Sequence, residues 1–255
     1  MLLSQISPIG FMDSGVGGLS VMRYARTVLP NENFVFYGDN ANAPYGVRPK
    51  EEVVALSLAV AKKLMNEKIK ALVIACNTAT TMALDELKRQ LPIPVVGICP
   101  AVEEACGLRK EGKVLVMATP STIASDTYAK LAAPFSHHVH SLPCPGLMEF
   151  TERNQLSGDE LHQKLASLLS EVDTKNIDVV VHGCTHYPFL EKETATFFSE
   201  NVIMIDGSRK TLNELVDILK EKDLLNKGNQ PGTTAFFTSG DENTIQLMKQ
   251  LFEAK

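Results

Sequence analysis

The sequence lacks every ordinary reason for its five cysteines. Cys76, Cys99, Cys106, Cys144 and Cys184 are odd in number and widely spaced, and no CxxC pair occurs. Neither a disulfide framework nor a zinc site is expected, and no metal or cofactor is implied. A basic excess is missing too. The 25 Lys and Arg against 30 Asp and Glu leave a net charge of −5, the wrong sign for gripping a phosphate backbone, so nucleic acid is not an expected partner. No apolar run approaches the roughly 18 residues of a membrane helix, and Met1 to Pro8 carries no basic stretch of a signal peptide. A cytosolic compartment with no membrane partner is the expectation. No added regulatory domain is expected, since only about eight residues precede the first predicted strand.

What is present is an ordinary globular composition, 44% hydrophobic and 22% charged over 255 residues, enough to bury a core without covalent help. Short β-branched or aromatic segments alternate with helical patterns, which predicts an α/β fold of parallel sheets. The expected strands are Ile9 to Asp13, Asn33 to Gly38, Ala71 to Ala75, Val95 to Ile98, Val114 to Ala118, Val139 to Leu142, Asp178 to His182 and Val202 to Asp206. Leu161, Leu165, Leu168, Leu169 and Val172 mark one apolar helical stripe. A last strand, Thr233 to Ser239, reads as a sheet edge and is followed by a helix over Asn243 to Phe252.

A weak repeat emerges at the strand ends. Asp13 and Cys76 are 63 residues apart, Thr119 and Cys184 are 65 apart, and each pair closes two predicted strands. Two similar α/β units are therefore expected: residues 1–98 with 208–255 carrying Asp13 and Cys76, and residues 99–207 carrying Thr119 and Cys184. Ligands of open α/β sheets bind beyond the carboxyl ends of strands. The expectation is that the units face one another across a cleft, with one cysteine on each wall.

Cysteine is usually a small buried hydrophobe, but Cys76 opens the predicted helix 79–91 and Cys184 precedes Pro188, taken as another helix start. Free amides and a helix dipole at such places favour a thiolate. With a pKa of about 8.5, only about 3% of a thiol is ionised near pH 7, so position decides reactivity. Cys99, Cys106 and Cys144 lack the setting and read as structural. Asn77, Thr78, Thr80 and Thr185 could simply cap helices; with Ser14 and Thr119 they also form a set of hydroxyls and amides suited to a zwitterion. Asp13 opens an Asp-Ser-Gly-Val-Gly-Gly loop whose glycines permit tight turns and close approach to an anion, although it is no GxxxxGK[ST] phosphate loop. His186 is placed to tune the Cys184 sulfur and Asp13 that of Cys76. His182, inside an apolar strand, has no evident function. His137, His138 and His140 read as a solvated edge rather than a metal site.

Five stretches, IGFMDSGVGGLSV (9–21), FYGDNANAPYG (36–46), LVIACNTATTMALDEL (72–87), IPVVGICPAV (93–102) and VVVHGCTHYPFL (179–190), resemble in order the signature segments of bacterial glutamate racemases. Relatives acting on aspartate or hydantoins share the paired cysteines but differ beside them, and CNTAT with GCTHYP points to the glutamate branch. The resemblance implies a cofactor-independent racemase with Cys76 and Cys184 as its two acid/base residues. Two are needed because inversion removes the Cα proton from one face and returns one to the other. By the same resemblance Cys76 serves D-glutamate supported by Asp13, and Cys184 serves L-glutamate supported by His186. Glu152 matches the family glutamate linked to the site, with Glu149 nearby. The substrate would be held among Asp13, Ser14, Tyr45, Gly46, Asn77, Thr78, Thr119, Thr122, Thr185 and His186. Supply of D-glutamate for peptidoglycan and a homodimer are implied as well, and a racemase of a related amino acid such as aspartate is the alternative. This sequence departs from the family at His182, where an aliphatic residue is usual, and at Phe11-Met12.

Overall fold

The computed structural model describes residues 4–254, folded as two compact units, Met1–Ile98 with Ser208–Lys255 and Cys99–Gly207. In the first, β1 (Ile9–Asp13), α1 (Leu19–Val28), β2 (Phe34–Gly38), α2 (Lys50–Asn66), β3 (Ala71–Ile74), α3 (Asn77–Gln90) and β4 (Val95–Gly97) alternate along the chain. The second contains α4 (Val102–Leu108), β5 (Lys113–Ala118), α5 (Pro120–Ile123), α6 (Asp126–Ala132), β6 (Val139–Pro143), α7 (Met148–Glu152), α8 (Asp159–Leu169), β7 (Ile177–His182), α9 (Glu191–Ala195) and β8 (Ile203–Asp206). The chain then returns to the first unit as α10 (Ser208–Glu221), β9 (Thr234–Thr238) and α11 (Glu242–Glu253).

Both sheets are wholly parallel. Their strand orders are β4-β3-β1-β2-β9 and β6-β5-β7-β8. Read in the opposite direction, the second order reproduces the first four strands of the first, with β5 in the place of β1 and β7 in the place of β3. The weak repeat thus has a structural basis, and β9 is an added edge strand. Strands β1, β2 and β3 are buried at every residue, as expected of parallel strands covered on both faces, which need no polar alternation. The edge strands β6 and β9 are only partly buried along their length, and β9 alternates in exposure residue by residue.

Helices cover the sheets by their apolar stripes. Leu161, Leu165 and Leu169 of α8 are buried, while Leu168 and Val172 pack only partly against the same core, and Val172 lies beyond the helix end. The second difference from expectation follows Cys184. Pro188 does not open a full helix: Tyr187–Leu190 is a 3-10 turn and α9 has only five residues. So short an element leaves few aligned peptides and hence little macrodipole. Among the described residues no helix is long and apolar enough to cross a membrane.

Candidate active site

In the first unit β1 and β3 are neighbours, which places Asp13 and Cys76 at adjacent strand ends. Asp13 is fully buried, and its Oδ1 accepts the Gly15 amide at 2.7 Å, which closes the turn after β1. No residue of the Asp13–Gly18 loop needs a left-handed backbone. The glycine is required for another reason: a Cβ on Gly18 would sit 2.9 Å from Ala75 O and from the Asp13 Cβ. The loop can lie against the end of β3 only without that side chain.

Cys76 is the N-cap of α3, its Sγ accepting the Ala79 amide at 3.5 Å and lying 3.6 Å from Ser14 Oγ. These contacts favour a thiolate, yet burial and the carboxylate of Asp13 outweigh them and push the thiol up to about 12. The helix terminus therefore does not win, contrary to the expectation from position alone; a buried thiolate beside a like charge costs more than one cap and one dipole return. Tyr45 is buried and donates to Asp39 Oδ2 at 2.7 Å. Burial and that bond hold its hydroxyl protonated. Asp39, which follows β2 and donates its amide to Asp13 O, was not among the expected site residues. Its position at a strand end beside Asp13 was the available signal. Next to Cys76, the Asn77 side chain is buried with neither its amide nitrogen nor its oxygen hydrogen-bonded. Thr78 is buried beside it and Gly46 half-buried after Tyr45.

The second unit repeats the placement. β5 and β7 are neighbours, and Thr119 and Cys184 follow their ends. Thr119 caps α5, accepting the Thr122 amide at 3.3 Å and donating to Thr122 Oγ1 at 2.9 Å. Gly183 packs so tightly that an added Cβ would meet Ala118 Cβ at 2.8 Å, which brings the Cys184 turn onto the end of β5. The Cys184 sulfur lies 3.7 Å from His186 Nδ1, and His186 Nε2 lies 2.7 Å from Glu152 Oε1. With no long helix behind it, Cys184 has an imidazole and a carboxylate in line, the arrangement that sets which ring nitrogen carries the proton. Cys184, Thr185 and His186 are all nearly inaccessible. Glu149, by contrast, keeps Oε2 buried without a partner and does not reach His186 in this way.

The remaining candidates fall outside these constellations. Cys99 and Cys106 are half-buried; Cys144 is buried, its thiol pushed up to about 12 by burial and by Cys184. His137, His138 and His140 are exposed, with His138 beside Arg109, and among the described residues no group of His, Cys, Asp and Glu could hold a metal ion.

The chain resembles known proteins over nearly its whole length. Residues 19–215 match the family described as Asp/Glu/Hydantoin racemase. A glutamate racemase of Clostridium novyi is 45% identical over 249 residues, 96% of each chain. The crystal structure of glutamate racemase isoform RacE1 from Bacillus anthracis superposes with a TM-score of 0.85 at 36% identity, covering 96% of this chain and 93% of that one. A Francisella tularensis glutamate racemase in complex with D-glutamate gives 0.81 at 29%, covering 98% and 95%. An aspartate racemase of Picrophilus torridus, 16% identical with a TM-score of 0.56 and coverage of 86% and 99%, shares the fold alone. The chain belongs to the Asp/Glu/hydantoin racemase family, and within it to the glutamate racemases.

Proposed function

We propose that this protein interconverts L- and D-glutamate by a two-thiol mechanism that uses no cofactor. It is an isomerase, an amino-acid racemase, and Cys76 and Cys184 are its acid/base pair. The chemistry requires both strand ends to reach one substrate, one thiol on each face of its Cα. From L-glutamate the Cys184 thiolate takes the Cα proton while Cys76, whose buried thiol keeps its proton, delivers another to the opposite face. From D-glutamate the roles exchange. A substrate ammonium beside the buried sulfur supplies the positive charge that eases formation of the Cys76 thiolate. His186, oriented by Glu152, does the corresponding work at Cys184, whereas the Asp13 carboxylate supports Cys76 in its acid role, holding the proton on the thiol until it is delivered.

The observation that carries the reading is the Asn77 side chain, buried and unpaired at the head of α3 beside Cys76. A buried amide without partners costs free energy that a bound carboxylate or ammonium returns. Ser14, Tyr45, Gly46, Thr78, Thr119, Thr122, Thr185 and His186 complete the proposed binding set, mostly neutral donors. Such preorganised donors stabilise the carbanion in a dry site. The product is assigned to peptidoglycan synthesis in the bacterial cytoplasm, and the active form to a homodimer, which light scattering would check.

The decisive experiment uses protein stripped of metal and pyridoxal phosphate in deuterated water. Each glutamate enantiomer is expected to lose optical activity and gain deuterium at Cα; absence of both overturns the proposal. Aspartate in the same assay is expected to react far more slowly. Cys76→Ser and Cys184→Ser are each expected to slow racemisation by at least about 10²-fold, the usual worth of a positioned acid or base.

A further inference from the structure

Tyr187 takes no part in the mechanism above, yet it sits where three strand ends meet. It is fully buried in the core of the second unit with Cys144 and Cys184. Its amide donates to the Cys184 carbonyl at 3.1 Å and its hydroxyl to the Cys144 carbonyl at 3.2 Å. The Cys144 amide in turn donates to Ala118 O at 2.8 Å, one residue before Thr119. One side chain thus links the turn after β7, which carries the thiol, to the ends of β6 and β5. Packing alone does not call for the hydroxyl, since phenylalanine fills the same volume. The turn has a parallel brace in Thr151, whose buried hydroxyl donates to His186 O at 3.0 Å.

We propose that Tyr187 is a positioning residue for the Cys184 thiol, its hydroxyl locking the Cys184–His186 turn against the ends of β5 and β6. The inference rests on the reading of Cys184 as the base for L-glutamate. A thiol misplaced by a fraction of an ångström loses the aligned geometry that proton transfer needs.

The test is Tyr187→Phe. The ring stays, one buried carbonyl loses its donor, and a domain of ordinary stability folds despite that loss. The equilibrium constant of racemisation is one, so the Haldane relation makes kcat/KM fall equally in both directions, expected at about tenfold. The isotope effects, however, diverge. With L-glutamate deuterated at Cα the effect on kcat/KM rises, because proton removal by Cys184 has become slower. With the deuterated D-enantiomer it shrinks, because reprotonation from Cys184, which carries no substrate label, now limits. A merely structural role lowers Tm and leaves both isotope effects as in the wild type; that result overturns the inference. Thr151→Val, weakening the same turn through its second brace, is expected to move both effects in the same directions, and it decides the question should Tyr187→Phe not fold. Wild-type racemisation by Cys184→Ser overturns the assignment of Cys184 and this inference with it. Unchanged isotope effects in Tyr187→Phe beside an inactive Cys184→Ser overturn the inference alone.

Discussion

His182 shows how one residue can carry a cost that its neighbours do not repay. It is 1% exposed, its Nε2 has no hydrogen-bond partner, and Nδ1 lies 3.8 Å from Glu191 Oε2. Burial pulls its pKa down from 6.5 to about 4. The unfolded chain therefore binds a proton between those values that the folded chain refuses, and stability is full above pH 6.5 and falls as pH drops toward 4. At 1.36 kcal/mol per unit the loss is about 3 kcal/mol. Denaturant unfolding at pH 7 and pH 4.5 is expected to show His182→Leu losing about 2–3 kcal/mol less than the wild type across that interval; equal losses would contradict the account. The sequence marks His182 as odd, being polar in an apolar strand, but its ionisation depends on what covers it. Cys76 teaches the same lesson with the opposite outcome. Its place before a helix is legible, whereas the opposition of burial and Asp13 depends on β1 lying beside β3.

At the scale of elements, the first sheet is pinned at the amino ends of its strands, opposite the end that carries Asp13 and Cys76. Lys70, just before β3, and Glu32, just before β2, form an ion pair with both side chains almost wholly buried. Lys70 also donates to Gln5 O, and Glu32 Oε1 accepts the Asn226 amide at 2.7 Å, so the pair ties two outer segments to the amino ends of the strands. Removing one member of such a pair leaves a buried charge uncompensated, typically a loss of 3–5 kcal/mol. Glu32→Ala is expected to lose about that much in denaturant unfolding. Because the thiols lie at the carboxyl ends, its kcat/KM well below the melting temperature should stay near wild type. A large fall in kcat/KM without loss of stability would contradict this division. The strand assignments were legible to within about a residue, because buried parallel strands read as compact apolar runs. The helix expected after Cys184 was not: a proline at a helix start and one in a 3-10 turn look alike in sequence, and only the following contacts decide between them. Asp39 and Tyr187 escaped notice for a related reason, since an acid after a strand and a buried aromatic each have common structural uses.

For the whole molecule, the return of the chain after Gly207 matters most. Leu212, Leu215 and Leu219 of α10 and Met248, Leu251 and Phe252 of α11 are each no more than 1% exposed, and β9 pairs with β2. Six such side chains at about 1.5–3 kcal/mol apiece match or exceed an ordinary folding stability. A chain ended after Gly207 is therefore expected to lose cooperative thermal unfolding of the first unit; a transition at the wild-type Tm would refute this. The sequence by itself determined the α/β class, the repeated strand-end pattern and the two cysteines within it, since all three follow from local periodicity and from motifs contiguous in the chain. Tertiary structure decided which groups surround those sulfurs. Asp13 meets Cys76, and Tyr187 meets Cys144, because parallel pairing sets distant strand ends side by side, and no local pattern encodes the burial that then governs their charge.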